Sequence, residues 1–196
     1  MRKALIERKT GETQIHLSLN LDGTGKYEIE TGCGFLNHML ELFARHGRFD
    51  IDCRAQGDTE VDYHHLVEDT GIVLGRAFAS ALGDMRGICR YGNFLLPMDE
   101  ALVQVAIDVS GRPYLNYNMD IPAHKVGDFD CDLAEEFLLA FSRSIGATIH
   151  VIQMTGKNAH HIIEALFKGL ARALKQAVAI DEQYAGDIPS TKGTIL

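Results

Sequence analysis

The chain has 196 residues, of which 46% are hydrophobic and 23% charged; this is long enough for a sizeable core and too apolar for a disordered segment. The net charge of −8 and the lack of any Lys/Arg tract argue against nucleic-acid binding, and no apolar run approaches the roughly 20 residues of a membrane span. Met1 to Arg8 lacks the apolar core of a signal peptide, so a cytoplasmic location is expected. Cys33, Cys53, Cys89 and Cys131 are scattered with no CxxC spacing and read as reduced, mostly buried thiols.

Along the chain, Ile15, Leu17, Leu19 and Leu21 alternate, Asp22 to Gly25 supply turn residues, and Tyr27 to Glu30 follow, a pattern that predicts an opening β-hairpin. Phe35, Met39, Leu42 and Phe43 fall at helical spacing, which predicts a helix from Phe35 to about Arg45, ending near His46-Gly47. Phe49, Ile51 and Cys53 alternate as a short strand, a polar loop crosses Asp58, and a helix is expected from His64 to about Leu82, closed by Gly83. The second half repeats this order. Strand-like runs occur at Phe94–Leu96, Leu102–Ile107 and Tyr114–Asn118, a helix fits Leu133–Ser144, a strand fits Thr148–Met154, and a last helix runs from His160 to about Val178.

The expected fold is therefore α+β, a tandem duplication of a strand-strand-strand-helix-strand-helix unit with helices packed between two mostly antiparallel sheets. One domain, 1–196, is expected, built of repeats at about 1–90 and 91–180 plus a C-terminal tail, 181–196. Phe43-Ala44-Arg45 and Phe141-Ser142-Arg143 hold matching places in the two repeats.

The chemistry sits at the start of the second helix of each repeat. There a histidine pair is followed three residues later by glutamate: His64-His65-Leu66-Val67-Glu68 and His160-His161-Ile162-Ile163-Glu164. Residues four apart share a helix face, so His64 with Glu68, and His160 with Glu164, each present an imidazole and a carboxylate to one cation. His65 and His161 point about 100° away, which suits them to a second ion. Asp62 and Asn158, two residues before each pair, are strong N-cap types. Counting back five residues from Phe43 and Phe141 reaches His38 and Glu136, which become equivalent ligands. One site is then expected to hold His38, His65, His160 and Glu164, the other His64, Glu68, Glu136 and His161; spacing alone leaves the cross-pairing open.

Four ordered motifs resemble the imidazoleglycerol-phosphate dehydratase family across essentially the whole chain: Gly34 to Leu40, Asp62 to Asp69, Gly156 to Lys168, and Pro189-Ser190-Thr191-Lys192-Gly193. The resemblance implies a ribosomal protein S5 domain 2-like fold, two Mn2+ ions per active site, and a homo-oligomer of twenty-four subunits with metal sites at subunit interfaces. It implies dehydration of an imidazole-glycerol phosphate to imidazole acetol-phosphate in histidine biosynthesis, through a metal-stabilised imidazolate. Arg90, Arg112, Lys168, Ser190 and Lys192 match the family's phosphate-binding positions, with Thr191 as a further substrate-binding residue, although Lys168 also lies one helical turn after Glu164 and suits an ion pair with it. Glu12 matches a substrate-contacting position and is the expected general acid/base, with His38, His65 and Glu164 as further catalytic residues. The metal-bound histidines and glutamates also line the substrate site; His46 either lines it too or caps the end of the first helix. His16, His124 and His150 carry no motif and read as structural or surface residues. Where many family members have His, this chain has Glu136. A di-metal hydrolase and a metal store are the rival readings.

Overall fold

The computed structural model describes residues 2–195. The first half runs β1 (Lys3–Lys9), β2 (Thr13–Asn20), β3 (Tyr27–Glu30), α1 (Gly34–Gly47), β4 (Asp50–Gly57) and α2 (His64–Leu82). The second runs β5 (Tyr91–Met98), β6 (Ala101–Asp108), β7 (Tyr114–Asn118), α3 (Leu133–Ile145), β10 (Thr148–Thr155) and α4 (Ala159–Ala177). A small extra hairpin, β8 (Lys125–Val126) with β9 (Phe129–Asp130), interrupts the second half before α3.

The two main sheets have the same topology, β1-β2-β4-β3 and β5-β6-β10-β7, which is the expected duplication. The expected hairpin between β2 and β3 does not form. β4 inserts between them, antiparallel to β2 and parallel to β3. The Asp22–Gly25 segment turns the chain as its residues demand, but long-range pairing decides the neighbours. The buried Ile15, Leu17 and Leu19 of β2 meet Ala55, Cys53 and Ile51 of β4, whereas β3 is short and largely exposed. The tight hairpin is instead β1 with β2, closed by Thr10, Gly11 and Glu12.

Two layers of helices fill the space between the sheets. α2 covers β1 and β2, α4 covers β5 and β6, and the helices then pair across the halves, α1 with α4 and α2 with α3. Aromatic rings bind this core: Phe43 and Phe141, the equivalent residues of the two repeats, lie with ring centroids 6.4 Å apart, and Phe78 meets both edge-on. Cys33, Cys53 and Cys131 are buried free thiols, and Cys89 is an exposed one. No helix among the described residues is long and apolar enough to cross a membrane.

Candidate metal centre

α4 begins at Asn158, whose side chain accepts from the His160 N–H at 2.9 Å, as its residue type predicts. Glu100, in the β5–β6 turn, accepts from the N–H groups of Lys157 at 3.1 Å and Asn158 at 2.8 Å and so ties this helix start to the sheet. The α2 start is built alike but shifted by one position: the N-cap is Tyr63, and Asp62 accepts from the His64 N–H at 2.7 Å.

From the α4 start, His160, Glu164 and Lys168 follow at one-turn intervals on one face. Glu164 is only 7% exposed. Its Oε2 lies 3.1 Å from His160 Nε2 and 3.7 Å from His38 Nε2 of α1, and its Oε1 accepts from Lys168 Nζ. The start of the helix that carries His38 is tied to the preceding loop by Asn37, whose Oδ1 accepts from the Thr31 N–H at 2.9 Å. His38, His160 and Glu164 each place a donor atom within 4.8 Å of the other two, the one such group of three among the described residues. Burial raises the Glu164 pKa, but Lys168, His160 and His38 more than offset it and hold the carboxyl below its usual range. An ionised carboxylate with two imidazole nitrogens is a donor set that suits a divalent metal cation.

Within one chain, His65 and His161 stand outside this group. Their rings are nearly perpendicular to those of His64 and His160, at 89° and 81°. Their surroundings match each other instead. His65 Nδ1 lies 2.9 Å from Asp58 Oδ2, with Glu12 at 3.8 Å from Nε2; His161 Nδ1 lies 2.7 Å from Glu100 Oε2, with Asp99 at 3.8 Å from Nε2. The carboxylate hydrogen bonds raise both ring pKa values, and Glu100 itself falls to about 2. Glu68 and Glu136, both half-buried, lie on α2 and α3, which pack directly against each other.

Glu12 occupies a built turn. Thr10 Oγ1 accepts from its N–H at 3.1 Å, its carbonyl accepts from the Asp58 N–H at 3.1 Å, and Arg8 and Thr13 at its base both bond the buried Asp69 of α2. His46 lies in the last turn of α1. Burial, with Lys168 and Arg172 nearby, pushes its pKa down, which works against a charged cap on the helix dipole. His16 pairs with Glu7 at 3.1 Å on the surface, His150 lies against Tyr114 with the rings tilted, and His124 is exposed.

Arg90, Arg112, Ser190 and Lys192 line one cavity of about 190 Å³ together with Ser110 and Thr191, so four of the five expected phosphate positions meet. Arg90 grips Asp108 through two bonds of 2.7 and 3.1 Å and donates to the Pro189 carbonyl at 2.9 Å, which straps the C-terminal segment over the cavity. Lys168, the fifth, is on Glu164. Sequence reading missed Asp58, Asp99 and Glu100. These are turn residues with no periodicity, and only their proximity to a histidine marks them.

Fold and site together define a duplicated α+β protein with a His/Glu group suited to a cation between helices of its two halves. The sequence matches the family model described as imidazoleglycerol-phosphate dehydratase over residues 31–174. It is 57% identical over 195 residues to the imidazoleglycerol-phosphate dehydratase of Xanthobacter autotrophicus, covering 100% of this chain and 99% of that protein. The corresponding protein of Caldanaerobacter subterraneus subsp. tengcongensis is 55% identical over 195 residues, covering 100% of each. Among solved structures, the imidazoleglycerol-phosphate dehydratase of Staphylococcus aureus aligns with a TM-score of 0.83 at 40% identity, over 91% of this chain and 99% of that one. The Pyrococcus furiosus protein, solved in complex with (S)-C348, aligns at 0.84 and 40% identity over 96% and 99%. The chain belongs to the imidazoleglycerol-phosphate dehydratase family, hydro-lyases of histidine biosynthesis.

Proposed function

We propose that the protein dehydrates D-erythro-imidazole-glycerol phosphate to imidazole acetol-phosphate with two Mn2+ ions per active site. The observation that carries this reading is the convergence of His38, His160 and Glu164 in a member of this family. His38, His160 and Glu164, completed by His65, would hold one ion; His64, Glu68 and Glu136, completed by His161, would hold the other. When bound, the ions supply Lewis acidity to the nitrogens of the substrate ring, which lets the ring accept electrons from a carbon–hydrogen bond that no carbonyl activates.

The chain's own groups do the rest. Glu12 stands beside His65 without belonging to the His38 group, and it carries the proton from the glycerol carbon to the hydroxyl that leaves as water, a contribution of about 10²–10⁴-fold. Arg90, Arg112, Ser190, Thr191 and Lys192 hold the phosphate, with the tail from residue 181 onward supplying the last three. Lys168 keeps Glu164 ionised and in place.

This reading requires more than one copy of the chain. The Arg90 N–H bonds the Ala177 carbonyl at 2.8 Å, at the far end of α4 from Glu164. The helical rise puts those ends about 20 Å apart. A substrate with three carbons between ring and phosphate cannot span that distance, so its ring and phosphate sit on different chains. This supports a homo-oligomer, in the family's manner of twenty-four subunits, with each site shared between neighbours. The test is to incubate metal-free protein with imidazole-glycerol phosphate, with and without Mn2+, and follow the enolisable ketone alongside free phosphate. Ketone formed only with Mn2+ is expected. Release of inorganic phosphate would make the protein a di-metal hydrolase, and no turnover in either case a metal store.

A further inference from the structure

Each His-His-x-x-Glu motif has a second histidine whose ring is held from behind. Glu100 Oε2 lies 2.7 Å from His161 Nδ1, and Asp58 Oδ2 lies 2.9 Å from His65 Nδ1. An ionised carboxylate only accepts, so in both pairs Nδ1 carries the proton. The neutral ring then has its lone pair on Nε2, the nitrogen turned away from the carboxylate. Neither carboxylate belongs to the His38 group, and neither lies in a motif that identifies the chain.

We infer that Glu100 and Asp58 are positioning residues: each fixes the tautomer and the aim of one histidine, so that Nε2 of His161 and of His65 is presented as a metal-binding lone pair to a neighbouring copy. This rests on the ligand roles proposed above for His65 and His161. Ligating histidines commonly have their other nitrogen held by a carboxylate, which sets the tautomer and raises basicity. Here the holding groups come from two different pieces of the fold, the β5–β6 turn for His161 and the loop after β4 for His65. The duplication has therefore reached the same device by two routes.

The two routes differ in a way that makes the inference testable. Glu100 Oε1 is fixed by the N–H groups of Lys157 and Asn158, so in Glu100→Gln the amide oxygen stays on those donors and the NH2 group faces His161 Nδ1. That NH2 forces Nδ1 to accept and moves the ring proton to Nε2, which removes the lone pair with almost no change of shape. Asp58 has no such anchor: both its oxygens face His65 Nδ1, at 3.2 and 2.9 Å, so in Asp58→Asn the amide can turn its oxygen to the ring and keep the tautomer.

The experiment is a Mn2+ titration of metal-free protein, with free Mn2+ read by electron paramagnetic resonance, on wild type, Glu100→Gln, Asp58→Asn and His161→Ala. Expected is a loss of about 10–100-fold in affinity at one of the two sites in Glu100→Gln and a much smaller loss in Asp58→Asn. Unchanged affinity in Glu100→Gln beside a lowered one in His161→Ala would overturn the positioning role. Unchanged affinity in both would overturn the ligand assignment itself. Should Glu100→Gln fail to fold, 15N spectra of the histidine rings in the metal-free wild type at alkaline pH read the tautomer directly. The Nδ1–H form is expected for His65 and His161, and the Nε2–H form would overturn the inference.

Discussion

The helix pairs α1/α4 and α2/α3 descend from equivalent pieces, yet they are held together differently and carry different charge. In α2/α3 the backbones touch: a Cβ on Gly71 would lie 2.7 Å from the Phe137 carbonyl oxygen, and one on Gly75 would lie 2.8 Å from that of Phe141. Ninety-six residues on, α4 has the buried side chains of Phe167 and Ala171 at those positions. The same offset sets Lys168 of α4 against Ile72 of α2, so Glu164 has a counter-ion in its own helix that Glu68 lacks. With His38 on one pair and Glu136 on the other, one set is His, His, Glu beside a lysine, and the other is His, Glu, Glu. Duplication kept the ligand spacing, which lives on a helix face, while packing and electrostatics around it diverged.

The comparison breaks most directly at the glutamates. Both sites are required in the proposed reaction, so Glu164→Gln and Glu68→Gln should each lower turnover by more than the roughly 10–100-fold typical of an outer-shell change. Steady-state rates with saturating Mn2+ measure it. Near-normal turnover in Glu68→Gln, with Glu164→Gln inactive, would leave the α1/α4 set as the only functional one.

Lys168→Met tests the electrostatic difference. Both partners of the Lys168–Glu164 pair are largely buried, at 15% and 9% side-chain exposure, and removing one strands the other. The metal-free protein should lose about 3 kcal/mol by urea unfolding at neutral pH, and Mn2+ should restore part of it. Ile72→Met on the other pair should cost less than about 1.5 kcal/mol as a change of shape within the apolar class. Equal losses would mean that the lysine matters only for packing.

Packing itself is tested at Gly75. Its added Cβ would meet the Ser144 Cβ at 2.6 Å as well as the Phe141 backbone, so Gly75→Ala should cost about 1–3 kcal/mol as α2 is pushed from α3. Ala171→Gly on α4 should cost about 1–2 kcal/mol, from backbone entropy and the loss of a buried methyl. Both read out in the unfolding midpoint, and a neutral Gly75→Ala would remove close packing as the distinction between the pairs.

Much of this was legible in the chain before any coordinates. Helix faces are local, so the His-His-x-x-Glu spacing, His38 and the helix limits could be read from periodicity. Strand neighbours are not local: the insertion of β4 beside β2 depends on residues 30 to 44 positions apart, and the turn signal at Asp22–Gly25 pointed to the wrong partner. The carboxylate behind His161 escaped for the same reason, since Glu100 reaches its histidine across 61 residues; Asp58 is close to His65 in sequence but sits in an irregular loop that no periodicity marks. The distance between the phosphate cavity and Glu164 is likewise a property of the folded helix α4, invisible in a motif.

The smallest expected contrast lies at the first residue of each central strand. Asp50 opens β4 and Thr148 opens β10, and each clasps the loop that leads to the parallel neighbour. Asp50 Oδ1 accepts from the N–H groups of Thr24 at 2.8 Å, Gly25 at 3.1 Å and Lys26 at 2.9 Å, whereas the Thr148 hydroxyl donates to the Arg112 carbonyl at 3.1 Å. Partial burial raises the Asp50 pKa, but the N–H donors of Lys26 and Thr24, the Asn20 side chain and the Gly25 N–H outweigh it, so the folded value lies below the ordinary one. A depressed carboxyl contributes stability that is present above its unfolded pKa of about 3.9 and fades as pH falls through the folded value. Asp50→Asn should therefore cost about 1–2 kcal/mol at neutral pH, solvent screening included, with the gap to wild type closing below pH ~4. Thr148→Val should cost about 1 kcal/mol with no such closing, because a hydroxyl does not titrate. Urea unfolding at neutral and acid pH compares them. A gap for Asp50→Asn that persists unchanged into acid would show that its clasp depends on shape and not on charge, and that the two halves hold their crossover loops by the same kind of bond.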